Sequence, residues 1–414
     1  MKDSVDIERL QAEIDTLAEI TEVEPPAVTR VIYSEKDLAA REQVKFLCGE
    51  AGLQLREDAV GNLFARWEGS NPTLPAVATG SHIDAIPNAG RYDGVLGVLG
   101  GLEAIRTLQS SGFQPRRSIE LIAFTSEEPT RFGIGCLGSR LMSGSLSLEQ
   151  ALALEDKENR TLESWLSSTP FSDGDRSRIL LEKGHYHAFV ELHIEQGPTL
   201  EEESLDIGAV THIAAPAAYR LEIIGQGGHA GGVLMPARHD ALCGAAEFVL
   251  ALEAAAKNSG SPDTVATVGV LQISPGAINS IPAQVTLTVD LRDIRLDTRS
   301  ATWETATAAL KKISADRGLK TSVATINQDP PATCGPSLVE TTVAAARKRG
   351  FTCQRMISRA YHDSLFMSRI APTTMIFIPC RNGWSHRPDE YSSPAQIGKG
   401  VAILADVLKE IASK

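Results

Sequence analysis

Four short stretches of this 414-residue chain concentrate imidazole and carboxylate side chains. GSHIDAIPNAGRYDG offers His82, Asp84 and Asp93, and TSEEPTRFG offers Glu127 and Glu128. ELHIEQGP offers Glu191, His193, Glu195 and Gln196, and GWSHRPDE offers His386. Imidazole with carboxylate is the donor set of zinc, manganese or cobalt rather than of a thiol-seeking metal. Two ions need a carboxylate between them, and Asp93 on its Gly-bounded turn can supply one. His82 and Asp84 are two apart on a strand, which puts them on one face. Asp84 is therefore expected to hydrogen-bond the His82 imidazole and fix its tautomer. Glu127 and Glu128 are adjacent at a strand end and point in different directions. One can bind metal while the other takes a proton from a water, the division of labour that metal-assisted hydrolysis requires.

Each residue alone has an ordinary explanation. A lone histidine is more often a satisfied structural residue, and paired glutamates are more often a solvated face. The four stretches together differ, because each ends a strand or sits in a Gly-rich turn of a single α/β layer.

The elements that must hold them follow from the pattern. Residues Ala76–Thr79 read as a strand leading into GSHIDAI, and Val95 to Leu108 reads as a helix opened by the turn around Tyr92–Gly94. SIELIAFTSEE and AFVELHIEQGP are strands that end in polar residues. Strand–helix alternation predicts an α/β mixed-sheet domain, in which ligands bind beyond the carboxyl ends of the strands. From about Ile207 the character changes. Tyr219–Ile224, Thr264–Ile273, Gln284–Arg292 and Lys320–Ile326 read as strands, and Ala237–Lys257 and Thr298–Arg317 as helices. That order is βαββαβ, the ferredoxin-like signature. The expected division is a catalytic domain over 1–209 and 326–414, with an inserted domain over 210–325. An amphipathic helix is expected near Ile397–Ile411.

Composition is that of a globular chain, with 43% hydrophobic and 22% charged residues. A net charge of -12 argues against a nucleic acid as the main partner. The N-terminal MKDSVDIERLQAEIDTLAEI is charged and helical in period, without a signal-type apolar stretch. No segment approaches the roughly 20 apolar residues of a membrane span. The six cysteines form no CxxC pair and read as free thiols of a reducing compartment. A cytoplasmic protein with no membrane partner is the expectation.

The motifs GSHID, YDG, SEEPTRFG, HIEQGP, GGHAGG, GAINSIP and DLRDIR, in this order, resemble the dinuclear metallohydrolases that include aminoacylases and metal-dependent carboxypeptidases. Within them the chain is similar to the hydantoinase/carbamoylase branch, over nearly its whole length. The resemblance implies that His82 and His193 hold one metal, Glu128 and His386 the other, and that Asp93 bridges them. It implies Glu127 as general base and the inserted domain as a dimerisation domain. His229 of GGHAGG would act in the partner subunit's site of a homodimer, where its tip could stabilise an oxyanion. Asn279 and Arg292 would bind a substrate carboxylate, for which the planar Arg fork is suited. A cross-strand salt bridge is the plain alternative for Arg292. Gln196 and His362 would also face the substrate.

SRAYHDSLFM is the branch point. Carbamoyl and allantoate hydrolases carry Gly-His-Asp where this chain has Tyr361-His362-Asp363, and at this point it looks like the ureidoglycolate amidohydrolases. A tyrosine there fills volume and favours a short ureido acid such as ureidoglycolate. The same resemblance favours manganese over zinc or cobalt. The rivals are an N-carbamoyl-L-amino-acid hydrolase or allantoate amidohydrolase, a peptidase or aminoacylase, and a metal-binding protein without activity.

Overall fold

The computed structural model describes residues 4–414. It divides into two compact units. The first takes the chain up to Thr211, then Cys334–Ser358 and His362–Lys414; the second takes His212–Thr333 and Arg359–Tyr361. The expected boundary at 325–326 falls inside the strand Lys320–Gln328, and the second unit runs on to Thr333.

The first unit is built on a mixed sheet whose four central strands are parallel, in the order Thr373–Ile378, Tyr186–Ile194, Ala76–His82 and Ile119–Phe124. Antiparallel strands flank them, with Ile207–Ile213 on one side and Leu63–Trp67 then Gln54–Glu57 on the other. The sequences TTMIFI, AVATGSH and IELIAF are buried throughout. Such unbroken burial needs cover on both faces, which is why these strands read as apolar runs rather than alternations. Val95–Ser110, almost wholly buried, packs against the sheet together with the amphipathic helix Pro394–Ala412. The latter opens with a capping box between Ser393 and Gln396. Near the N-terminus, Ile7–Ala18 is helical, while Met1–Asp3 of the expected helical stretch lie outside the described residues.

The second unit is a four-stranded antiparallel sheet, ordered Val265–Ser274, Gln284–Asp293, Ala215–Ile224 and Lys320–Gln328. Two helices, Ala241–Lys257 and Leu296–Arg317, bury one face of it. QVTLTVDLRD alternates half-buried and buried positions along its length, the period-2 pattern of a sheet covered on one side. The first helix starts at Ala241 rather than Ala237, because Asp240 caps the amides of Leu242 and Cys243 and Pro236 sits in a separate turn before it. Between strands, Gly228–His229 pairs with Ser280–Ile281 in a short ribbon. Among the described residues no helix is long and apolar enough to cross a membrane, and all six cysteines are free thiols.

Candidate metal centre

The carboxyl ends of the parallel strands bring the chemistry together. His82 is the last residue of Ala76–His82 and lies in register with Phe124, after which the chain turns through Thr125–Glu128. His193 is next to last in Tyr186–Ile194. Asp93 precedes the helix Val95–Ser110, and the turn into it requires glycine: Gly94 has φ 68, and a Cβ there would lie 2.4 Å from His82 Nε2.

Two trios of ligand atoms share Asp93, each with its atoms within 4.8 Å of one another: His82, Asp93 and His193, then Asp93, Glu128 and His386. Asp93 Oδ1 lies 3.6 Å from His82 Nε2 and 3.2 Å from His193 Nε2, while Oδ2 lies 3.3 Å from His386 Nε2. One carboxylate thus turns one oxygen to each trio. Glu128 Oε1 is 3.3 Å from His386 Nε2. The imidazoles are oriented from behind. His82 Nδ1 donates to the Asp84 carbonyl at 2.9 Å and His193 Nδ1 to the Ile194 carbonyl at 2.8 Å. A carbonyl only accepts, so Nδ1 carries the hydrogen and Nε2 presents its lone pair.

The expectation for Asp84 is corrected here. The strand stops at His82, so Asp84 does not share its face, and its carboxylate stands 3.7 Å from His82 Nδ1. The backbone carbonyl of Asp84 fixes the imidazole instead. The carboxylate accepts the amides of Glu127 and Glu128, at 3.1 and 3.0 Å, and ties the strand end to the next loop.

The field in the cluster is one that favours cations. Hydrogen bonds to Asp93 and Glu128 raise the His386 imidazole to about 11. Burial disfavours the Asp93 charge, but His193, His386 and His82 outweigh it and hold that carboxyl well below its usual range. Burial, with Glu128 and Asp363 nearby, pushes Glu127 well above the carboxylate range against the pull of His82. Nitrogen and oxygen donors, oriented lone pairs and a demand for positive charge fit two divalent cations of the zinc, manganese or cobalt type. A third trio, Glu191, His193 and His362, is committed elsewhere. Glu191 accepts from Ser81 at 2.7 Å and Ser364 at 2.5 Å, and His362 Nε2 lies 3.0 Å from Ser358 Oγ.

The remaining expected residues divide. Gln196 stands at the cluster: its Nε2 donates to Asp93 Oδ2 at 2.8 Å and its Oε1 is buried without a partner. His362, expected at the substrate, is 2% exposed and packs edge-on against His193 with ring centroids 4.6 Å apart. This placement makes it a support for His193 rather than an open contact. His229, Asn279, Arg292 and Tyr361 belong to the second unit. His229 is on the short ribbon, paired with Ser280, and Asn279 immediately precedes Ser280, its carbonyl accepting the Ala230 amide at 2.8 Å. Arg292 does not form the cross-strand pair: Nε and Nη2 donate to Asp290, two residues back on the same strand, at 2.9 and 2.8 Å, and Nη1 donates to the Arg359 carbonyl at 3.2 Å.

Sequence reasoning missed two groups that steady Asp93. Ser385 Oγ lies 2.6 Å from Asp93 Oδ2 and 2.9 Å from Glu390 Oε2. Glu390 Oε1 accepts the amides of Tyr92 and Asp93 at 2.8 and 3.1 Å. Their only signal was membership of the GWSHRPDE stretch, since their contacts with Tyr92 and Asp93 bridge nearly 300 residues.

Residues 78–410 match the model of Peptidase family M20/M25/M40. The chain belongs to this family. Within the M20/M25/M40 proteins, its relatives include the ureidoglycolate hydrolase of Arabidopsis thaliana, 52% identical over 414 residues, covering 99% of this chain and 87% of that one. An N-carbamoyl-L-amino-acid amidohydrolase of a Pseudomonas species is 36% identical, covering 98% of each. Crystal structures of AtUAH in complex with (S)-hydroxyglycine and with glyoxylate are 51% identical in sequence, with a TM-score of 0.88 over 99% of both chains.

Proposed function

We propose that this chain is a metal-dependent amidohydrolase that cleaves the ureido C–N bond of ureidoglycolate, releasing ammonia and carbon dioxide and leaving hydroxyglycine, which decays to glyoxylate and a second ammonia. The observation that carries the substrate is the 52% identity, over nearly the full chain, to a relative named for ureidoglycolate hydrolysis. The (S)-hydroxyglycine and glyoxylate bound to AtUAH support the same sequence of products.

In this reading His82 and His193 would hold one cation, Glu128 and His386 the other, and Asp93 would serve both. Manganese is the ion proposed, with zinc and cobalt compatible with the same donors. When bound, the pair supplies Lewis acidity to a carbonyl oxygen and acidity to a water. Glu127 accepts the proton of the attacking water and returns it to the leaving nitrogen. Gln196 stands beside Asp93 on the substrate side. Arg292 and Asn279 hold the substrate carboxylate, so that orientation is set away from the bond that breaks. Tyr361 shortens the space for the ureido acid. The inserted unit, His212–Thr333, serves as dimerisation domain of a homodimer in which His229 steadies the oxyanion of the partner subunit, and the protein works in the cytoplasm.

The test is ammonia and glyoxylate release from ureidoglycolate, beside allantoate and an N-carbamoyl amino acid, after manganese, zinc or cobalt is restored to stripped protein. Preferred turnover of ureidoglycolate is expected. Preference for a carbamoyl amino acid, as in the Pseudomonas relative's name, would overturn the substrate and the role of Tyr361 while keeping the hydrolytic chemistry.

A further inference from the structure

Behind Glu127 lies a thiol that the chemistry above does not use. Cys136 is fully buried, and its Sγ is 3.4 Å from Glu127 Oε1, within reach of S–H donation. The other carboxylate oxygen, Oε2, faces His82 Nε2 at 3.7 Å. We propose that Cys136 is a positioning residue for Glu127: its thiol holds one carboxylate oxygen from behind and so aims the other at the metal cluster. The inference rests on the reading of Glu127 as the group that carries the proton.

The backbone is arranged to make this contact. The amides of Cys136, Leu137 and Gly138 donate in turn to the carbonyls of Glu127, Ser126 and Thr125, at 2.8, 2.9 and 2.8 Å. This lacing sets residue 136 against residue 127. The lacing needs glycine at 138, where a Cβ would lie 2.0 Å from Asn62 Oδ1, the atom that accepts the Thr125 amide at 2.9 Å. Cys136 itself sits in the left-handed region, with φ 55 and ψ 37. Glycine would adopt that conformation more cheaply. A side chain at a strained position, meeting the carboxylate that must move a proton, is explained by positioning and not by packing alone.

Sulfur suits the task. A thiol is a weak donor, so it orients a carboxylate while withdrawing less of its basicity than a hydroxyl or amide would. Burial, with Glu127 and Asp363 adding their charge, pushes the Cys136 thiol well above its ordinary value, so it remains an S–H donor and is inert as a nucleophile. Asp363 is itself fully buried, with Oδ1 taken by Ser139 at 2.5 Å and Oδ2 without a partner.

The experiment uses the metal-loaded protein and four variants: Cys136→Gly, Cys136→Ala, Cys136→Ser and Glu127→Gln. Cys136→Gly relieves the backbone strain and removes the thiol, and its melting temperature separates a folding defect from a loss of aim. In infrared difference spectra against Cys136→Gly, the Cys136 S–H stretch should sit below that of a free thiol and move upward in Glu127→Gln. On ureidoglycolate, Cys136→Gly and Cys136→Ala should lose on the order of tenfold in kcat, the scale of a misaimed reacting group. KM and metal content should stay unchanged, and Cys136→Ser should recover most of the loss. An S–H band indifferent to Glu127→Gln would overturn the contact. A Glu127→Gln protein without activity beside a fully active Cys136→Gly protein would overturn the positioning role alone. A fully active Glu127→Gln protein would overturn the proton-carrier reading, and the positioning role with it.

Discussion

The Asp84 carboxylate accepts the backbone amide of Glu127 at 3.1 Å, and through its second oxygen the amide of Glu128 at 3.0 Å. One buried side chain therefore sets the height of both glutamates above the sheet, while the carbonyl of the same residue sets the ring of His82. Asp84→Asn replaces one acceptor with a donor that faces an amide. Charge-assisted hydrogen bonds are worth about 1.5–3 kcal/mol, so the variant is expected to lose about that much stability. It is also expected to lose kcat by roughly tenfold or more, since Glu127, the proposed proton carrier, is displaced. Chemical denaturation and steady-state kinetics check the two halves. An Asp84→Asn protein with wild-type kcat would show that the amide anchor does not govern Glu127.

Gly94→Ala tests the floor of the cluster. The new Cβ would stand 2.4 Å from His82 Nε2, at a residue with φ 68. Either the His82 ring or the Asp93 turn must move, and both supply atoms to the same trio. The expected outcome is loss of one metal equivalent with the fold retained, plus about 1 kcal/mol or more of backbone strain. Metal content after dialysis and thermal melting measure these separately. Retention of two equivalents would place the candidate ligands elsewhere.

Much of this was legible in the sequence, and the failures have a common cause. The strand ends at His82 and His193 were legible because central parallel strands are buried on both faces and read as apolar runs with polar tips. The side chain of Asp84 was misread because its direction depends on where the strand stops, and that is at His82. His362 was placed at the substrate on the strength of its motif, whereas its burial against His193 comes from packing that no local pattern encodes. Ser385, Glu390 and Cys136 were passed over for the same reason. Ser385 and Glu390 meet their partners nearly 300 residues away, and Cys136 meets Glu127 through a loop whose lacing has no sequence period. In the second unit the helix start at Ala241 was available from Asp240 as a cap.

Acid stability offers a test away from the metals. Burial works against the Asp206 charge, but hydrogen bonds from Lys399 and from Thr352 outweigh it and hold the carboxyl below its ordinary value. A depressed carboxyl stabilises the fold above its unfolded pKa, about 3.9, and that contribution is lost as pH falls through the folded value. The melting-temperature gap between wild type and Asp206→Asn should therefore be constant from pH 7 to about 5 and shrink below about pH 4. A gap that stays the same at the lowest pH would mean that the Asp206 charge contributes nothing to it.

Arg292 is the residue where structure sharpens the functional test most. Its Nε and Nη2 atoms are already paired with Asp290, and Nη1 reaches the Arg359 carbonyl. The guanidinium is thus held in one plane before any ligand arrives, which lowers the ordering cost of binding a carboxylate. The Asp290 contact, together with the nearby Tyr361, favours the charged form of Arg292 against its burial. Removing the arginine is expected to raise KM for ureidoglycolate by tenfold to a hundredfold, the range of about 1.5–3 kcal/mol for a hydrogen bond to a charged group. Removing Asp290 should cost less, because the charge remains and only its aim is lost. Steady-state kinetics of Arg292→Ala, Arg292→Lys and Asp290→Ala distinguish the roles. Lysine cannot reproduce a bidentate grip and a third donor at once, so Arg292→Lys should fall near Arg292→Ala. If Arg292→Ala kept the wild-type KM while its melting temperature dropped, the Asp290 pair would be purely structural and the substrate carboxylate would have to be held by other groups.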